Sequence, residues 1–218
     1  MTLALFDLDN TLLKGDSDYQ WGEFLVRKGL VDAQQHAETN KRFYGQYTNG
    51  SLNIHEYAAF TFKFLSAHSM EQLDQWRQEY MQEDIHKMIP DAARALVEQH
   101  RALGHTLVII TATNSFVTRP IATEFGIEHL LAVEPKIING RYTQEIDGIP
   151  TFREGKIERL KQWLQGRSET LAGSYFYSDS HNDLPLLEIV DYPVAVDPDD
   201  TLRARAAAKA WPIISLRS

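Results

Sequence analysis

Near its start the chain has a short apolar run, Ala4 to Phe6, that leads directly into two carboxylates separated by one residue, Asp7 and Asp9. A short apolar run that ends in a loop predicts a buried strand that delivers side chains at its carboxyl end. Because strand side chains alternate with a period of two, the pattern predicts Asp7 and Asp9 on one side of the chain and close together. Two neighbouring buried carboxylates destabilise each other. The pair therefore indicates a bound metal ion or a catalytic proton rather than a role in folding.

A long helical segment follows the acidic pair. From residue 18 to about residue 85, apolar side chains recur with helical spacing and show little sign of strands. Trp21, Phe24 and Leu25 share one predicted face, and Asn49-Gly50-Ser51 interrupts the segment near its middle. The spacing predicts about four helices, which form an all-helical insert. The predicted domain limits are 16–85 for this insert, and 1–15 with 86–218 for the rest of the chain.

Beyond the insert, predicted strands alternate with predicted helices. The predicted helices are 92–104, 115–125, 154–165, 184–190 and 201–210, and the predicted strands are 105–110, 130–133, 174–178, 194–196 and 213–214. Asn139-Gly140 adds the signature of a hairpin. The alternation predicts an α/β fold with a doubly wound parallel sheet. Ligands bind outside the carboxyl ends of such strands, and Asp7, Thr111 and Asp179 all follow predicted strands.

Composition and charge narrow the functional class. The 218 residues suit one large domain or a core with a smaller insert, and the apolar (43%) and charged (24%) fractions are ordinary. The net charge of −8 argues against non-specific binding to nucleic acid or to an anionic membrane, and a phosphate-bearing ligand then needs a local cation. The absence of cysteine excludes disulfides and thiol chemistry. With neither a leader pattern nor an apolar run of transmembrane length, we expect a cytoplasmic protein.

Four motifs, in order, resemble those of the haloacid dehalogenase superfamily of phosphohydrolases. They are Asp7-Leu8-Asp9-Asn10-Thr11, Thr111 after an apolar strand, Lys156 in Gly155-Lys156-Ile157, and Asp179-Ser180-His181-Asn182-Asp183-Leu184-Pro185. The Thr and Lys motifs are weak alone, whereas the first and fourth together are specific. The resemblance covers nearly the whole chain, and the insert is similar to the helical C1 cap of the phosphoserine-phosphatase-like branch. It implies a Rossmann-like core with an inserted helical cap.

The resemblance implies a Mg²⁺-dependent phosphomonoesterase that works through an aspartyl-phosphate. Asp7 is the expected nucleophile, and Asp9 the expected acid that protonates the leaving oxygen and then activates water. Mg²⁺ is expected between Asp7, the backbone carbonyl of Asp9 and Asp179. Asp183 is expected to bind the ion through water or to orient its ligands.

Three further residues are implied as ligands of the phosphoryl oxygens: the Thr111 hydroxyl, the Ala112 N–H and the Lys156 ammonium. Taken singly, Lys156 is typical of a solvated helix lysine and Thr111 of packing at a strand end. The two acidic motifs also superficially resemble EF-hand loops. Leu12 and Leu184 stand where such a loop needs glycine, which excludes that alternative.

The fourth motif departs from the family in one respect. The family usually has glycine on either side of the motif's first aspartate, whereas this chain has Ser178-Asp179-Ser180. Serine is small enough for metal binding, but it reduces the local freedom of the backbone. His181 stands where the family usually has a small residue, and its role is left open.

Substrate selection is expected to depend on the insert. Asp16 lies nine residues after Asp7, where phosphoserine phosphatases place an acidic residue that binds the substrate amine. Asp18 and Glu23 offer further carboxylates near the site entrance. The alternative for Asp16 is a turn or cap position at the solvated start of a helix, where Ser17 or Asp18 is also a predicted N-cap.

The segments 15–19 and 21–22 also resemble a proteobacterial subgroup associated with histidinol phosphate. Four aromatic residues are candidates to face an imidazole or simply to pack the cap: Tyr19, Trp21, Phe43 and Tyr44. The first expected substrate is L-histidinol phosphate, and phosphoserine is the second.

Two alternatives come from other functional classes. A phosphomutase would share the first motif and the aspartyl-phosphate but would protect the latter from water. A receiver domain also phosphorylates an aspartate beside a metal, a threonine and a lysine. Receivers are about half as long and carry the phosphorylated aspartate after their third strand, so the order of motifs in this chain argues against that class.

Overall fold

The structure, a computed structural model, describes residues 2–217. Its strands are β1 (Leu3–Phe6), β2 (Thr106–Asn114), β3 (His129–Ile138), β4 (Arg141–Asp147), β5 (Tyr175–Ser178), β6 (Tyr192–Val196) and β7 (Ile213–Ile214). They form one seven-stranded sheet in the order β4-β3-β2-β1-β5-β6-β7. Every neighbouring pair is parallel except β3 and β4. The predicted α/β class is confirmed, and β1 lies at the centre of the sheet.

The helices are α1 (Ser17–Arg27), α2 (Ala33–Thr48), α3 (Ile54–Ala67), α4 (Met70–Tyr80), α5 (His86–Met88), α6 (Asp91–Ala102), α7 (Ser115–Glu124), α8 (Glu154–Leu164), α9 (Leu184–Leu187) and α10 (Asp200–Lys209). The first four account for the predicted helical insert, and helical backbone continues through Met81–Ile85 into α5. The domain limits after residues 15 and 85 stay a prediction. Within residues 2–217, no helix combines the length and the apolar character needed to span a bilayer.

Both faces of the sheet are covered, as a doubly wound fold requires. Leu3 and Leu5 of β1 belong to one buried apolar cluster, whereas Ala4 and Phe6 belong to the other. All four side chains are fully buried. A strand that is buried on both faces has to be apolar at successive positions, which explains the continuous run that opens the chain.

The predicted apolar face of the insert is confirmed. Trp21, Phe24 and Leu25 are all buried. The ring of Trp21 stacks on Phe24 at 5.4 Å between centroids and meets Tyr80 edge-on at 5.3 Å. It also lies 5.5 Å from the ring of Phe116 in α7. The insert therefore packs onto the α/β part of the chain through this aromatic cluster.

The hairpin at Asn139-Gly140 is confirmed, and its strands are longer than predicted. Asn139 and Gly140 have φ angles of 51° and 73°. Positive φ at both central residues is what a two-residue turn of this kind requires. The turn reverses the chain, so that β4 is the antiparallel edge strand of the sheet.

Candidate active site

The predicted site residues meet at the carboxyl edge of the central strands. Asp7 directly follows β1 and Asp179 directly follows β5, while Lys156 lies in the first turn of α8. Thr111 and Ala112 lie inside β2, which continues to Asn114. The prediction that this strand ends at residue 110 is therefore wrong. The strand is longer because Asn114 still pairs with β3 beyond a shift in register.

The acidic pair lies on a wide turn, not on a strand. Strand β1 ends at Phe6, and the turn Leu8–Leu12 follows Asp7, with a positive φ of 56° at Asn10. Asparagine tolerates this conformation better than most residues. Asp7 and Asp9 were expected to lie together because of strand alternation, and that reason is wrong, since neither residue lies in β1. The turn places the carboxylates near each other, and the charge of Asp9 contributes to raising the pKa of Asp7, after burial as the main cause.

Lys156 is buried among carboxylates, so it is not a solvated helix lysine. Its Nζ donates to Asp7 Oδ1 at 2.8 Å and to Asp183 Oδ2 at 2.7 Å. Only 2% of the residue is exposed. Burial alone would lower the pKa of Lys156, but the charges of Asp183 and Asp7 outweigh it and raise this pKa. The ammonium therefore stays charged and holds the two carboxylates together.

A hydroxyl connects the first and fourth motifs. Thr11 Oγ1 lies 3.1 Å from Asp179 Oδ1 and 3.3 Å from Asp7 Oδ2, and it accepts the N–H of Asp179 at 3.0 Å. Ser178 Oγ donates to Asp183 Oδ2 at 2.7 Å. Burial, followed by the charges of Asp7 and Asp183, raises the pKa of Asp179. Sequence reasoning assigned no role to Thr11 or Ser178, although both stand within the quoted motifs.

Both oxygens of Asp9 accept hydrogen bonds. Ser17 N–H donates to Oδ1 at 2.6 Å, and Thr113 Oγ1 donates to Oδ2 at 2.7 Å. Burial, and then the charge of Asp16, raises the pKa of Asp9 to about 6, against the effect of these donors. Sequence reasoning missed Thr113. The period of two along a strand places Thr113 on the same side of β2 as Thr111, and this pattern could have identified it.

A cavity of about 460 Å³ lies between the carboxyl edge of the sheet and the insert, and its lining includes Asp7, Asp9, Thr111, Ala112, Thr113, Lys156, Asp179 and Asp183. Asp16 lies on its wall and is open to it, while its Oδ1 accepts the N–H groups of Asp18 and Tyr19, both at 2.9 Å. Asp16 is therefore the N-cap of α1, and the prediction of Ser17 or Asp18 as the cap is wrong. The two interpretations of Asp16 are compatible, because the residue lines the cavity and its hydrogen bonds to the start of α1 use Oδ1 alone.

The aromatic candidates separate into two groups. Tyr19 and Tyr44 line the cavity and are 47% and 68% exposed. Phe43 also lines the cavity but is buried, whereas Trp21 is buried in the aromatic cluster between the insert and α7. Asp18 is buried in the cavity wall and accepts Tyr57 OH at 2.6 Å.

The acidic cluster has oxygen ligands of the type that Mg²⁺ prefers. Within residues 2–217, no three acidic, histidine or cysteine side chains are grouped closely enough to enclose an ion. Mg²⁺ usually takes one or two carboxylates and keeps several waters, so it does not need such an enclosure. Asp7 and Asp179, joined through Thr11, fit as the two carboxylates. Asp183 fits a supporting position beside them, because Lys156 and Ser178 both hold its Oδ2.

The fold and the site define a class of hydrolase. Residues 4–188 match the model of the haloacid dehalogenase-like hydrolases. This chain belongs to that family. A solved phosphoserine phosphatase, a phospho-aspartyl intermediate analogue, has a TM-score of 0.70 at 15% identity, over 99% of this chain and 93% of that chain. At such low identity the likeness concerns the fold alone.

Two similar proteins match at much higher identity. The histidinol-phosphatase of Neisseria meningitidis serogroup C (strain 8013) is 43% identical over 219 residues, which cover 99% of both chains. A solved protein of unknown function from Bordetella pertussis Tohama I has a TM-score of 0.93 at 45% identity, over 99% of this chain and 100% of that chain. The family and the phosphatases among its relatives identify this chain as a phosphatase.

Proposed function

We propose that this phosphatase is a Mg²⁺-dependent phosphomonoesterase that forms an aspartyl-phosphate at Asp7 and acts on a small, amine-bearing phosphate ester. L-Histidinol phosphate is the first expected substrate. The observation that carries the proposal is the buried Lys156, whose Nζ bridges Asp7 and Asp183 at the floor of the cavity. The Lys156 ammonium favours the ionised, attacking form of Asp7 against the effect of burial, and it offers positive charge to an incoming phosphoryl group.

Asp7 and Asp9 divide the covalent chemistry. A carboxylate oxygen of Asp7 bonds to phosphorus as the bond from phosphorus to the leaving oxygen breaks. Asp9 gives its proton to that oxygen and then takes a proton from the water that hydrolyses the aspartyl-phosphate. A carboxyl with a pKa of about 6 is suited to both transfers near neutral pH. Such acid–base catalysis typically contributes about 10²–10⁴-fold to the rate.

The remaining site residues bind and orient the phosphoryl group. The Thr111 hydroxyl, the Ala112 N–H and the Lys156 ammonium are assigned to its oxygens. When bound, Mg²⁺ would neutralise part of the charge of the transferring group, held by Asp7, Asp179 and the backbone carbonyl of Asp9. Asp183 would orient these proposed metal ligands, because Lys156 and Ser178 fix its own carboxylate.

The cavity wall supports an amine-bearing, aromatic leaving group. Asp16 supplies a carboxylate for the amine, and Tyr19 and Tyr44 supply exposed aromatic surface for an imidazole. Phosphoserine, the second candidate, would use Asp16 but leave that aromatic surface uncovered. The similarity to the neisserial histidinol-phosphatase also favours histidinol phosphate over phosphoserine as the substrate. In this proposal residues 16–85 act as the cap that selects the substrate. The cytoplasmic location of the protein stays a prediction.

A panel of phosphomonoesters tests the proposal. We expect kcat/KM for histidinol phosphate to exceed that for phosphoserine and for sugar phosphates by at least about tenfold, or about 1.4 kcal/mol of selective binding. Asp7→Asn, which has the same shape but no attacking carboxylate, should abolish turnover with the fold intact. A flat substrate profile would rule out recognition of the amine. Steady phosphate release from an aryl phosphate would exclude the phosphomutase alternative.

A further inference from the structure

One arginine joins three parts of the candidate site. Arg153 immediately precedes α8, the helix that carries Lys156. Its Nε donates to Asn182 Oδ1 at 3.0 Å, and its Nη2 donates to the carbonyl of Gly50 at 2.7 Å. Asn182 lies in the acidic loop 179–183, and Gly50 lies in the turn between α2 and α3. The guanidinium therefore spans from the start of α8 to both the acidic loop and the insert.

A second contact joins the same turn to the same loop. We call residues 47–52, the end of α2 and the turn after it, the cap tip. Tyr47 OH lies 3.0 Å from Ser180 Oγ, which accepts the N–H of Asn182 at 3.2 Å. Ser180 and Asn182 are both buried. Ser180, where the sequence departs from the family's glycine, thus supplies a hydroxyl that contacts the cap tip.

Both residues of the arginine contact, Gly50 and Arg153, have backbone conformations with a positive φ angle. Gly50 has a φ of +75°, and a Cβ at this position would lie 2.6 Å from Arg153 Nη2. A side chain at residue 50 would therefore strain the backbone at this φ and displace the guanidinium from its present position. Arg153 has φ 52° and ψ −122°, a conformation that glycine adopts readily and other residues rarely. Such strain persists where surrounding contacts over-determine it, often at functional sites.

We propose that Arg153 is a positioning residue that couples docking of the cap tip to the geometry of the phosphoryl-transfer site. This inference rests on the proposed function. With the tip docked, the guanidinium holds Asn182, and with it the loop that carries Asp179 and Asp183. The carbonyl of Arg153 accepts the N–H of Lys156 at 3.0 Å, so its backbone also sets the start of α8. Without the tip, the guanidinium loses one of its two partners and the site loses its alignment. Turnover is thereby linked to a covered cavity.

Two measurements on a small set of variants test this coupling. Hydrogen exchange of the amides at 47–52 and 180–183 is followed with Mg²⁺ and inorganic phosphate present, and kcat and KM are measured on the best substrate of the panel. We expect Arg153→Met to speed exchange in both segments at least fivefold and to lower kcat at least tenfold, with KM changed less than threefold. Arg205→Met is the matched control, because Arg205 pairs with Glu188 on the surface of the core. It should leave both readouts unchanged.

Two further variants separate coupling from simple structural support. Arg153→Gly removes the guanidinium and relieves the backbone strain, so its Tm should exceed that of Arg153→Met while kcat stays low. Gly50→Ala disturbs the contact from the cap side. Its effect on kcat should shrink to less than twofold in the Arg153→Met background, because both changes break the same contact.

Equal exchange of the cap tip in the wild type and in Arg153→Met would overturn the inference, whatever the kinetics. Faster exchange with kcat within twofold of the wild type would also overturn it, because docking would then not position the site. If the wild type hydrolyses no phosphomonoester, the proposed function fails. The exchange measurement still decides whether the guanidinium holds the tip and the loop together.

Discussion

Thr113 offers a direct test of how the site sets the proton affinity of Asp9. Its Oγ1 donates to Asp9 Oδ2 at 2.7 Å, and the residue is 8% exposed. Thr113→Val keeps the branched shape, the strand preference and the volume but removes the donor. The other oxygen of Asp9 keeps its bond from the N–H of Ser17. The substitution therefore changes a single hydrogen bond to the carboxylate.

The size of the effect follows from that bond. A hydrogen bond to a charged acceptor contributes about 1.5–3 kcal/mol, and one pH unit of pKa corresponds to about 1.4 kcal/mol. The bond favours the ionised form, so its loss raises the pKa of Asp9, which burial and Asp16 already raise to about 6. We expect a further rise of about one to two pH units. The fraction of protonated Asp9 at neutral pH then increases.

The assay is the pH dependence of kcat/KM, which reports groups of the free enzyme. In Thr113→Val the limb assigned to Asp9 should move to higher pH by about one to two units. Thr123→Val, on the exposed side of α7, is the control and should leave the profile unchanged. A Thr113→Val profile that overlays the wild type, in a protein of unchanged fold, would refute the assignment of that limb to Asp9.

Three more predictions concern the buried charges and the ion. Lys156→Met should lower the free energy of unfolding by about 3–5 kcal/mol in metal-free buffer, because Asp7 and Asp183 lose their partner; a loss below about 1 kcal/mol in urea unfolding would contradict this. EDTA should stop turnover and added Mg²⁺ should restore it, and full activity of metal-free protein would remove the ion from the scheme. Burial, and then His105, lowers the pKa of His100 to about 4. Between pH 4 and pH 6.5 the unfolded chain binds more protons at His100 than the folded protein does. The free energy of unfolding of the wild type should therefore fall by up to about 3 kcal/mol as pH falls through this window. The free energy of unfolding of His100→Asn should fall less over this window. If urea titrations at pH 7 and pH 5 show equal losses for the variant and the wild type, the attribution of this pH dependence to His100 is refuted.

The order of elements could be predicted because the signals behind it are local. The apolar run of β1, the helical period around Trp21 and Phe24, and the Asn139-Gly140 turn each depend on neighbours along the chain. The topology that alternating strands and helices favour then places Asp7 and Asp179 at one edge of the sheet. The resemblance of the motifs indicated, without any coordinates, the chemistry that is proposed for them.

The partners of the site residues depended on the tertiary structure. Taken alone, Lys156 has the local pattern of a solvated lysine, yet the central position of β1 buries it against Asp7, from which it is separated by 149 positions. Strand β2 runs past residue 110 because β3 continues to pair with it, and this extension brings Thr113 to Asp9.

The contact between Arg153 and Gly50 spans 103 positions and has no local signal. Periodicity and turn preference act over a few residues, whereas these contacts form only when the order of strands in the sheet brings distant segments together. The sequence by itself therefore determined the class of fold and indicated the carboxylates that are proposed to react. Only the tertiary structure decided which donors tune those carboxylates and which residue ties the insert to them.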